Sequence, residues 1–167
     1  MRKAKLTASF RKTVLVCAAL AAPTSALAAP CATSADQTAL QVRMLQTELM
    51  VGALTCNQRT DYNQFVTRFQ PQLTKQGKQL QAFFKNSHGA RGTTELNDFV
   101  TRIANESARR GMVKRGAFCR GTDRIHANAR SLAAAELPQF AGLQDFSGQH
   151  GILPCQTKVA QKAAHSK

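Results

Sequence analysis

Four widely spaced cysteines constrain this fold more than any other feature of the sequence. Cys31, Cys56, Cys119 and Cys155 follow an N-terminal apolar segment that contains the fifth cysteine, Cys17. An even number of cysteines in an exported chain is typical of a disulfide framework. Free thiols or a metal site are the alternatives, but no C-x-x-C spacing occurs. We therefore expect two disulfides, and the cysteine spacing alone leaves three pairings open.

Residues 1–28 have the three-part pattern of a secretory signal peptide. A basic start without acids is followed by the apolar run TVLVCAALAA, and Ala26 and Ala28 supply the small residues of a cleavage site. The run is too short to remain as a membrane-spanning helix, which needs about 20 residues. A mitochondrial transit peptide should be amphipathic rather than apolar on all sides. We expect a mature chain of residues 29–167 that is periplasmic or secreted.

The mature chain is expected to be strongly basic. Removal of the signal peptide takes five of the 23 Lys and Arg and none of the nine Asp and Glu, so the formal net charge falls from +14 to +9. A charge of this size favours association with anions, such as nucleic acid, anionic lipid headgroups or acidic polysaccharide. Sequence-specific nucleic-acid binding is disfavoured, because the chain has no recognised binding motif and no Trp.

Apolar residues recur at intervals of three and four residues through most of the chain, and this periodicity predicts helices. The first helix should begin at a capping box formed by Ser34 and Gln37. Pro71 predicts a kink or a break near residues 69–71 of the second helix. Gly111 is expected to take the left-handed position at the end of the third. The predicted helices span about 35–56, from 60 to the glycines of 86–92, 93–111 and 117–137.

The predicted fold class is all-α, because no strand-like alternation stands out in the sequence. We expect a small up-and-down helical bundle of about four helices, stapled by two disulfides. The predicted organisation is a signal peptide in 1–28, the disulfide-linked bundle in 29–137 and an irregular basic tail in 138–167.

An up-and-down arrangement selects one disulfide pairing of the three. Cys56 at the end of the first helix and Cys119 at the start of the fourth lie at the same end of such a bundle. Cys31, before the first helix, and Cys155, after the fourth, lie at the opposite end. The predicted disulfides are therefore Cys56–Cys119 and Cys31–Cys155.

Two nearly identical stretches, NQFVTR at 63–68 and NDFVTR at 97–102, stand 34 positions apart. Both are predicted to begin helices, with their Phe-Val pairs facing the core and Arg68 and Arg102 facing water. A tetratricopeptide array is disfavoured, because such arrays need at least about three stacked units and no third copy occurs. A joint anion site formed by the two arginines is an alternative to simple solvation.

A run of cations spans the predicted junction of the third and fourth helices, in the stretch SARRGMVKRGAFCRGTDR at 107–124. We interpret it as a candidate anion-contact patch, tethered to the bundle by Cys119. The alternative is a solubilising surface beside two helix ends. The six residues are Arg109, Arg110, Lys114, Arg115, Arg120 and Arg124.

The familiar enzyme signatures are missing from the sequence. Neither G-x-S-x-G nor H-E-x-x-H occurs, and C-x-x-C-H, the mark of covalent haem, is missing too. Glu95 and Asp98 are read as acids at a helix start rather than as a catalytic pair. Asp123 and His126, three residues apart on the fourth helix, could share a ligand but are more typical of a solvated pair. We expect no catalytic residues, no metal and no cofactor.

The stretches LMVGALTC, YNQFVTRFQPQL and FVTRIANESARR, behind a signal peptide, resemble small uncharacterised exported all-helical proteins of Gram-negative bacteria. The resemblance covers roughly residues 45–120 and implies a periplasmic, helical protein, with no established activity. We expect a non-enzymatic binding or accessory protein that engages an anionic envelope polymer, a lipid headgroup or a protein partner. The alternatives are an enzyme of unfamiliar type, using Asp123, His126 or Glu106, and a periplasmic stress chaperone.

Overall fold

The computed structural model describes residues 31–144 and 150–156. It confirms the predicted fold class: within these residues the chain is an all-α bundle with no strand, joined by two disulfides. Two 3-10 turns, at Gly89–Arg91 and Ala134–Glu136, connect the helices. The helices are α1 (Ser34–Thr55), α2 (Arg59–His88), α3 (Gly92–Val113), α4 (Arg115–Ala129) and a short α5 (Leu137–Gly142).

Helix α1 is the centre of the bundle. The sequence predicts a single apolar stripe on it, but residues on nearly all of its sides are buried, because α2, α3, α4 and α5 all pack against it. Leu40, Leu45 and Leu49 are fully enclosed. Helices α2 to α5 therefore supply most of the stability of α1, because tertiary packing stabilises a helix in a protein more than its intrinsic propensity does.

The first turn of α1 is capped one residue earlier than predicted. Thr33 is the capping residue: its hydroxyl accepts from the Asp36 backbone N–H, and the Asp36 carboxylate accepts from the Thr33 N–H at 2.9 Å. Burial acts to raise the pKa of Asp36, but hydrogen bonds from Thr33 and from Gln79 of α2 outweigh it and lower that pKa. The cap therefore also fixes α2 against the start of α1.

Helix α2 runs without a break through Pro71, so of the kink or break predicted near residues 69–71 the break does not occur. Pro71 lies on the exposed side of the helix, as does Thr67, whose carbonyl loses its donor. Water can replace that lost hydrogen bond. On the opposite side, Phe65, Phe69 and Phe84 are buried against the core, and this packing holds both halves of the helix in one element.

The two similar stretches both lie near the beginnings of helices, as predicted. Phe65 and Phe99 are buried, whereas Arg68 and Arg102 are exposed. The matching glycines do not close the helices, and the left-handed end expected at Gly111 is wrong. Gly111 is a buried helical residue, and α3 continues to Val113. A Cβ there would lie 3.3 Å from a methyl group of Thr55, so this glycine permits close packing instead.

Helix α4 ends at Ala129, eight residues before the predicted end at 137. The chain turns at 130–133, and the Arg68 guanidinium donates a hydrogen bond to the Leu132 carbonyl in this turn. Pro138 does not follow a helix. It lies in the first turn of α5, where a residue without a backbone N–H removes no helical hydrogen bond.

Part of the expected tail belongs to the folded bundle. Residues 138–142 are helical rather than irregular, and Phe140 and Ala141 of α5 are buried against α1. Further along, the Ala32 N–H donates to the Leu153 carbonyl and the Cys155 N–H donates to the Ala32 carbonyl, each at 2.9 Å. The predicted signal peptide lies outside the described residues, as do 145–149 and 157–167.

Both predicted disulfides are confirmed. Cys56 follows α1 and is bonded to Cys119 in the second turn of α4. Cys31 precedes α1 and is bonded to Cys155. Within the described ranges, no helix combines the length and the apolar character needed to cross a lipid bilayer.

The Cys56–Cys119 bridge should contribute strongly to stability, because it closes a loop with a sequence separation of 63 residues. Replacing both cysteines by Ala should lower the free energy of unfolding by about 4 kcal/mol on a chain-entropy treatment. Urea unfolding followed by circular dichroism measures the change. A loss below about 1 kcal/mol would contradict this prediction, because the entropy of closing so long a loop should give a larger loss.

The contact between the start of α3 and the end of α2 depends on Gly92. A Cβ on Gly92 would lie 2.7 Å from the Lys85 Cα and 2.8 Å from the Phe84 carbonyl oxygen. Gly92→Ala should therefore lower the free energy of unfolding by about 1–3 kcal/mol. The matched control is Gly77→Ala in α2, where a Cβ meets nothing within 4 Å. The control should be neutral or stabilising by up to about 1 kcal/mol, and equal losses in both variants would refute the steric explanation.

Candidate functional site

The six predicted cations surround the junction of α3 and α4. Arg109 and Arg110 lie in the last turns of α3, Lys114 lies between the helices, and the other three lie on α4. All of the side chains are exposed except that of Arg110, which is half-buried. Five of the six cations therefore lie at or near this junction, whereas Arg124 lies about two and a half turns further along α4.

The junction is held firmly against the end of α1. The Cys56–Cys119 disulfide joins α4 to the residue that follows α1, and the Arg115 guanidinium donates to the Thr55 carbonyl at 2.7 Å. Gly111 packs closely on Thr55 and Phe118. The cations at the junction are therefore displayed on a fixed backbone, which lowers the ordering entropy that a ligand would have to overcome.

Two of the six cations are already engaged by acids. Arg109 donates two hydrogen bonds to the Glu106 carboxylate, at 2.9 and 2.7 Å. Arg110 pairs with Glu48 of α1 and also approaches Glu106 at 3.5 Å. Hydrogen bonds from Arg109 are the main reason that the pKa of Glu106 is lowered. The Ser107 hydroxyl donates to Glu48 at 2.6 Å, so this network joins α3 to α1 and offsets the charges within it.

The other four cations have no ion pair in the part of the chain that the structure describes. Arg115 donates to the Thr55 carbonyl, which leaves Lys114, Arg120 and Arg124 without a side-chain partner there. Arg120 and Arg124 stand four residues apart on α4 and share one face of the helix. Asp123, the nearest acid in sequence, accepts a hydrogen bond from Gln58 instead. We call these three residues the open cation cluster.

A groove lies beside the open cation cluster, between α1, α3 and α4. Its volume is about 460 Å³. Val113, at the end of α3, is 68% exposed, whereas Phe118 is buried at 8%. Ala117 and Ile125 add further apolar surface, and charged residues form most of the rest of the wall. The lining residues are Glu48, Arg109, Arg110, Val113, Lys114, Ala117, Phe118, Gly121 and Ile125. We call this feature the α3–α4 groove.

A second, smaller cleft of about 250 Å³ lies between α2 and α4 and includes His126 in its wall. Arg130 pairs with Asp61 at 3.1 Å within it. His126 is only 3% exposed, and its Nε2 atom has no hydrogen-bond partner in the described residues. Burial lowers the pKa of His126, and the negative charge of Asp61 opposes this effect. The imidazole is therefore held neutral beside the Phe65 ring.

The three residues considered for an enzyme do not form one site. His126 is buried in the α2–α4 cleft, whereas Asp123 is exposed and bonded to Gln58. Glu106 belongs to the arginine network on α3 and lines a different depression. Within the described ranges, no group of three or more His, Cys, Asp or Glu side chains could hold a metal ion.

Arg68 and Arg102 likewise line separate depressions. Arg68 lies in the His126 cleft, and Arg102 lies beside Glu106 and Asp98. Each guanidinium stands close to a phenylalanine ring, at 5.8 Å from the Phe69 centroid and 5.7 Å from the Phe99 centroid. A joint anion site from these two arginines is therefore not formed.

Sequence reasoning missed the acids that decide which cations are engaged. Glu48 is a single acid between Leu45 and Leu49 of α1, and an acid inside an apolar helix is a signal that a buried partner exists. Ser107 lies on the buried face of α3, and its hydroxyl donates to Glu48. The Asp61–Arg130 pair had no sequence signal, because its members belong to different helices.

No protein-family model matches this chain, and no similar protein was found among curated proteins or solved structures.

Stability should fall as the pH falls below about 6.5, because two histidines are buried without full hydrogen bonding. Burial lowers the pKa of both His126 and His150, whose Nε2 atoms have no partner in the described residues. The unfolded chain therefore binds protons that the folded chain excludes, and the loss begins near the ordinary histidine pKa and continues down to the lowered one. Above about pH 6.5 this stability is fully present.

Urea unfolding at pH 7.5 and at pH 5.5 measures the effect, since carboxylates titrate mainly below this window. His126→Gln and His150→Gln should each reduce the difference in unfolding free energy between the two pH values. A difference that is unchanged in both variants would contradict the assignment.

Proposed function

We propose that this protein is a non-enzymatic binding or accessory protein of the periplasm or extracellular space that engages an anionic component of the cell envelope. The observation that carries the proposal is the open cation cluster: three exposed cations, without an ion pair in the described residues, on a junction fixed by a disulfide. Its members are Lys114, Arg120 and Arg124.

The chemistry of the cluster suits phosphate and carboxylate groups. Arginine presents a planar fork of donors that matches both groups, and lysine adds a compact point charge. Arg109 and Arg110 suit this role less well, because Glu106 and Glu48 already accept their hydrogen bonds. The proposed anion contact is therefore limited to three of the six predicted cations. Arg115 instead positions the junction, because its guanidinium donates to the Thr55 carbonyl.

The proposed location is supported by two independent features. The N-terminal sequence has the pattern of a secretory signal. The two disulfides are compatible with an extracellular or periplasmic protein, because such bridges persist in oxidising compartments. Phosphate-rich headgroups and acidic polymers are the anions that an envelope protein would meet there.

The second candidate function is that of an enzyme, and one observation favours it. The His126 imidazole is kept neutral by burial and lines a cleft that also contains the Asp61–Arg130 pair. A neutral imidazole can act as a general base. Turnover of a substrate that is lost in His126→Gln and kept in His150→Gln would favour this candidate, whereas salt-sensitive binding without turnover favours the first.

Binding to vesicles containing phosphatidylglycerol should depend on the open cation cluster. Each cation near an anionic lipid surface contributes about 1 kcal/mol, so Lys114→Gln/Arg120→Gln/Arg124→Gln should weaken binding by about two orders of magnitude at low salt. Binding of the unaltered protein should also weaken steeply between about 50 and 150 mM NaCl, because salt screens exposed charges. Vesicle sedimentation measures both effects.

The matched control removes the same number of charges from α2. Lys75, Lys78 and Lys85 are exposed and have no ion pair within the described ranges. Their triple replacement by Gln should weaken binding much less. Equal weakening by both triple variants would show that only net charge matters, and failure of the unaltered protein to bind would refute the lipid-headgroup form of the proposal.

A further inference from the structure

We propose that the α3–α4 groove binds a single-chain carboxylate amphiphile, a fatty acid, with its chain in the groove and its carboxylate at Lys114. This inference rests on the proposed function for the role of Lys114, and it names the class of ligand that the site takes.

The groove offers apolar surface that the fold itself leaves uncovered. Val113 of the groove wall is 68% exposed, although most large apolar residues of the described chain are enclosed. Phe118 and Ile125 extend this surface inward along α4. Exposed apolar surface beside a polar rim is typical of a binding site.

The groove owes its space to Gly121. A Cβ built on this residue would meet nothing within 4 Å, so the wall of α4 is open at this point. Ala117, one turn earlier, adds only a methyl group to the same wall. The resulting volume of about 460 Å³ lies within the range of roughly 300–1,000 Å³ that is usual for small-molecule sites.

The charges of the groove favour a single anionic head. Its one acid, Glu48, is offset by Arg110 and receives a hydrogen bond from Ser107. Arg109 is held by Glu106. Lys114 is therefore the cation of the wall that has no ion pair within the described residues. An ammonium beside an apolar groove complements a carboxylate joined to a hydrocarbon chain.

Charge also argues against two other occupants. The C-terminal segment 157–167 contains three lysines and no acid, so the cationic rim would repel it. A second copy of this chain would place the same cations opposite themselves, because a two-fold interface brings identical surfaces together. An anionic amphiphile meets neither objection.

Titration calorimetry with dodecanoate, below its micelle-forming concentration, tests the proposal. We expect one site per chain. Acetate carries the charge without the chain, and dodecyl maltoside carries the chain without the charge, so both should bind at least about tenfold more weakly, a difference of about 1.4 kcal/mol. Binding of acetate as tight as that of dodecanoate would overturn the role of the groove.

The decisive variant is Gly121→Leu, which fills the groove. Leucine is a better helix former than glycine, so the variant should keep its fold, as circular dichroism checks. It should bind dodecanoate at least about tenfold more weakly. Gly77→Leu, at a helical glycine with equally open surroundings, should bind as the unaltered protein does. Undiminished binding by Gly121→Leu would overturn the proposal.

The same variants separate this proposal from the proposed function. Gly121→Leu retains the open cation cluster and should bind phosphatidylglycerol vesicles normally. If vesicle binding depends on the cluster but dodecanoate does not bind, the amphiphile proposal is overturned and the proposed function stands. If dodecanoate binding depends on Gly121 and vesicle binding ignores the cluster, the lipid-headgroup form of the proposed function is overturned and the groove assignment stands.

Discussion

The burial of α1 by every other helix is the interaction on which the rest of the structure depends. Leu40, Leu45 and Leu49 have essentially no exposed surface, and each fully buried leucine stabilises the fold by roughly 1.5–3 kcal/mol relative to exposure. Helices α2 to α5 each cover part of α1. Their order around it, together with short connections, determines which chain ends meet and hence which cysteines can pair.

The position of the candidate site follows from the end of α1. Cys56 marks that end, and its disulfide to Cys119 fixes the beginning of α4 there. The end of α3 and the start of α4 must pass the same point, so Arg109, Arg110, Lys114 and Arg115 lie near it. Glu48 and Ser107 then draw Arg110 towards the core, and Lys114 is left at the edge of the groove. The packing at the end of α1 therefore determines which cations form ion pairs and which do not.

Local patterns predicted much of the fold. The 3.6-residue periodicity identified the four long helices, and an up-and-down arrangement selected both disulfides, because the ends of helices and the positions of cysteines are written in the sequence. The predicted end of the fourth helix at 137 was wrong, because the chain turns after Ala129 and Pro138 lies in the first turn of a separate short helix, α5. The burial of α1 on most sides was missed, because periodicity shows a stripe but not how many helices will cover it.

The residues of the candidate site could be predicted from the sequence, but their contacts could not. The six cations could be named from the sequence. Which of them form ion pairs could not be predicted, because Glu48 reaches Arg110 from another helix. The α4 wall of the α3–α4 groove is open at Gly121, where a Cβ would meet nothing within 4 Å. In the sequence, this glycine looks the same as the other glycines of the helices.

The measurement that tests the central claim most directly is an amide nuclear magnetic resonance titration of the oxidised protein with dodecanoate. Because the bound chain and carboxylate would lie between α1, α3 and α4, the account predicts shifts confined to residues near Glu48, Val113, Lys114 and Gly121. The amides of Lys75 and Lys78 on α2 should remain unchanged. Shifts spread over all exposed cations, or concentrated at the His126 cleft, would contradict the account.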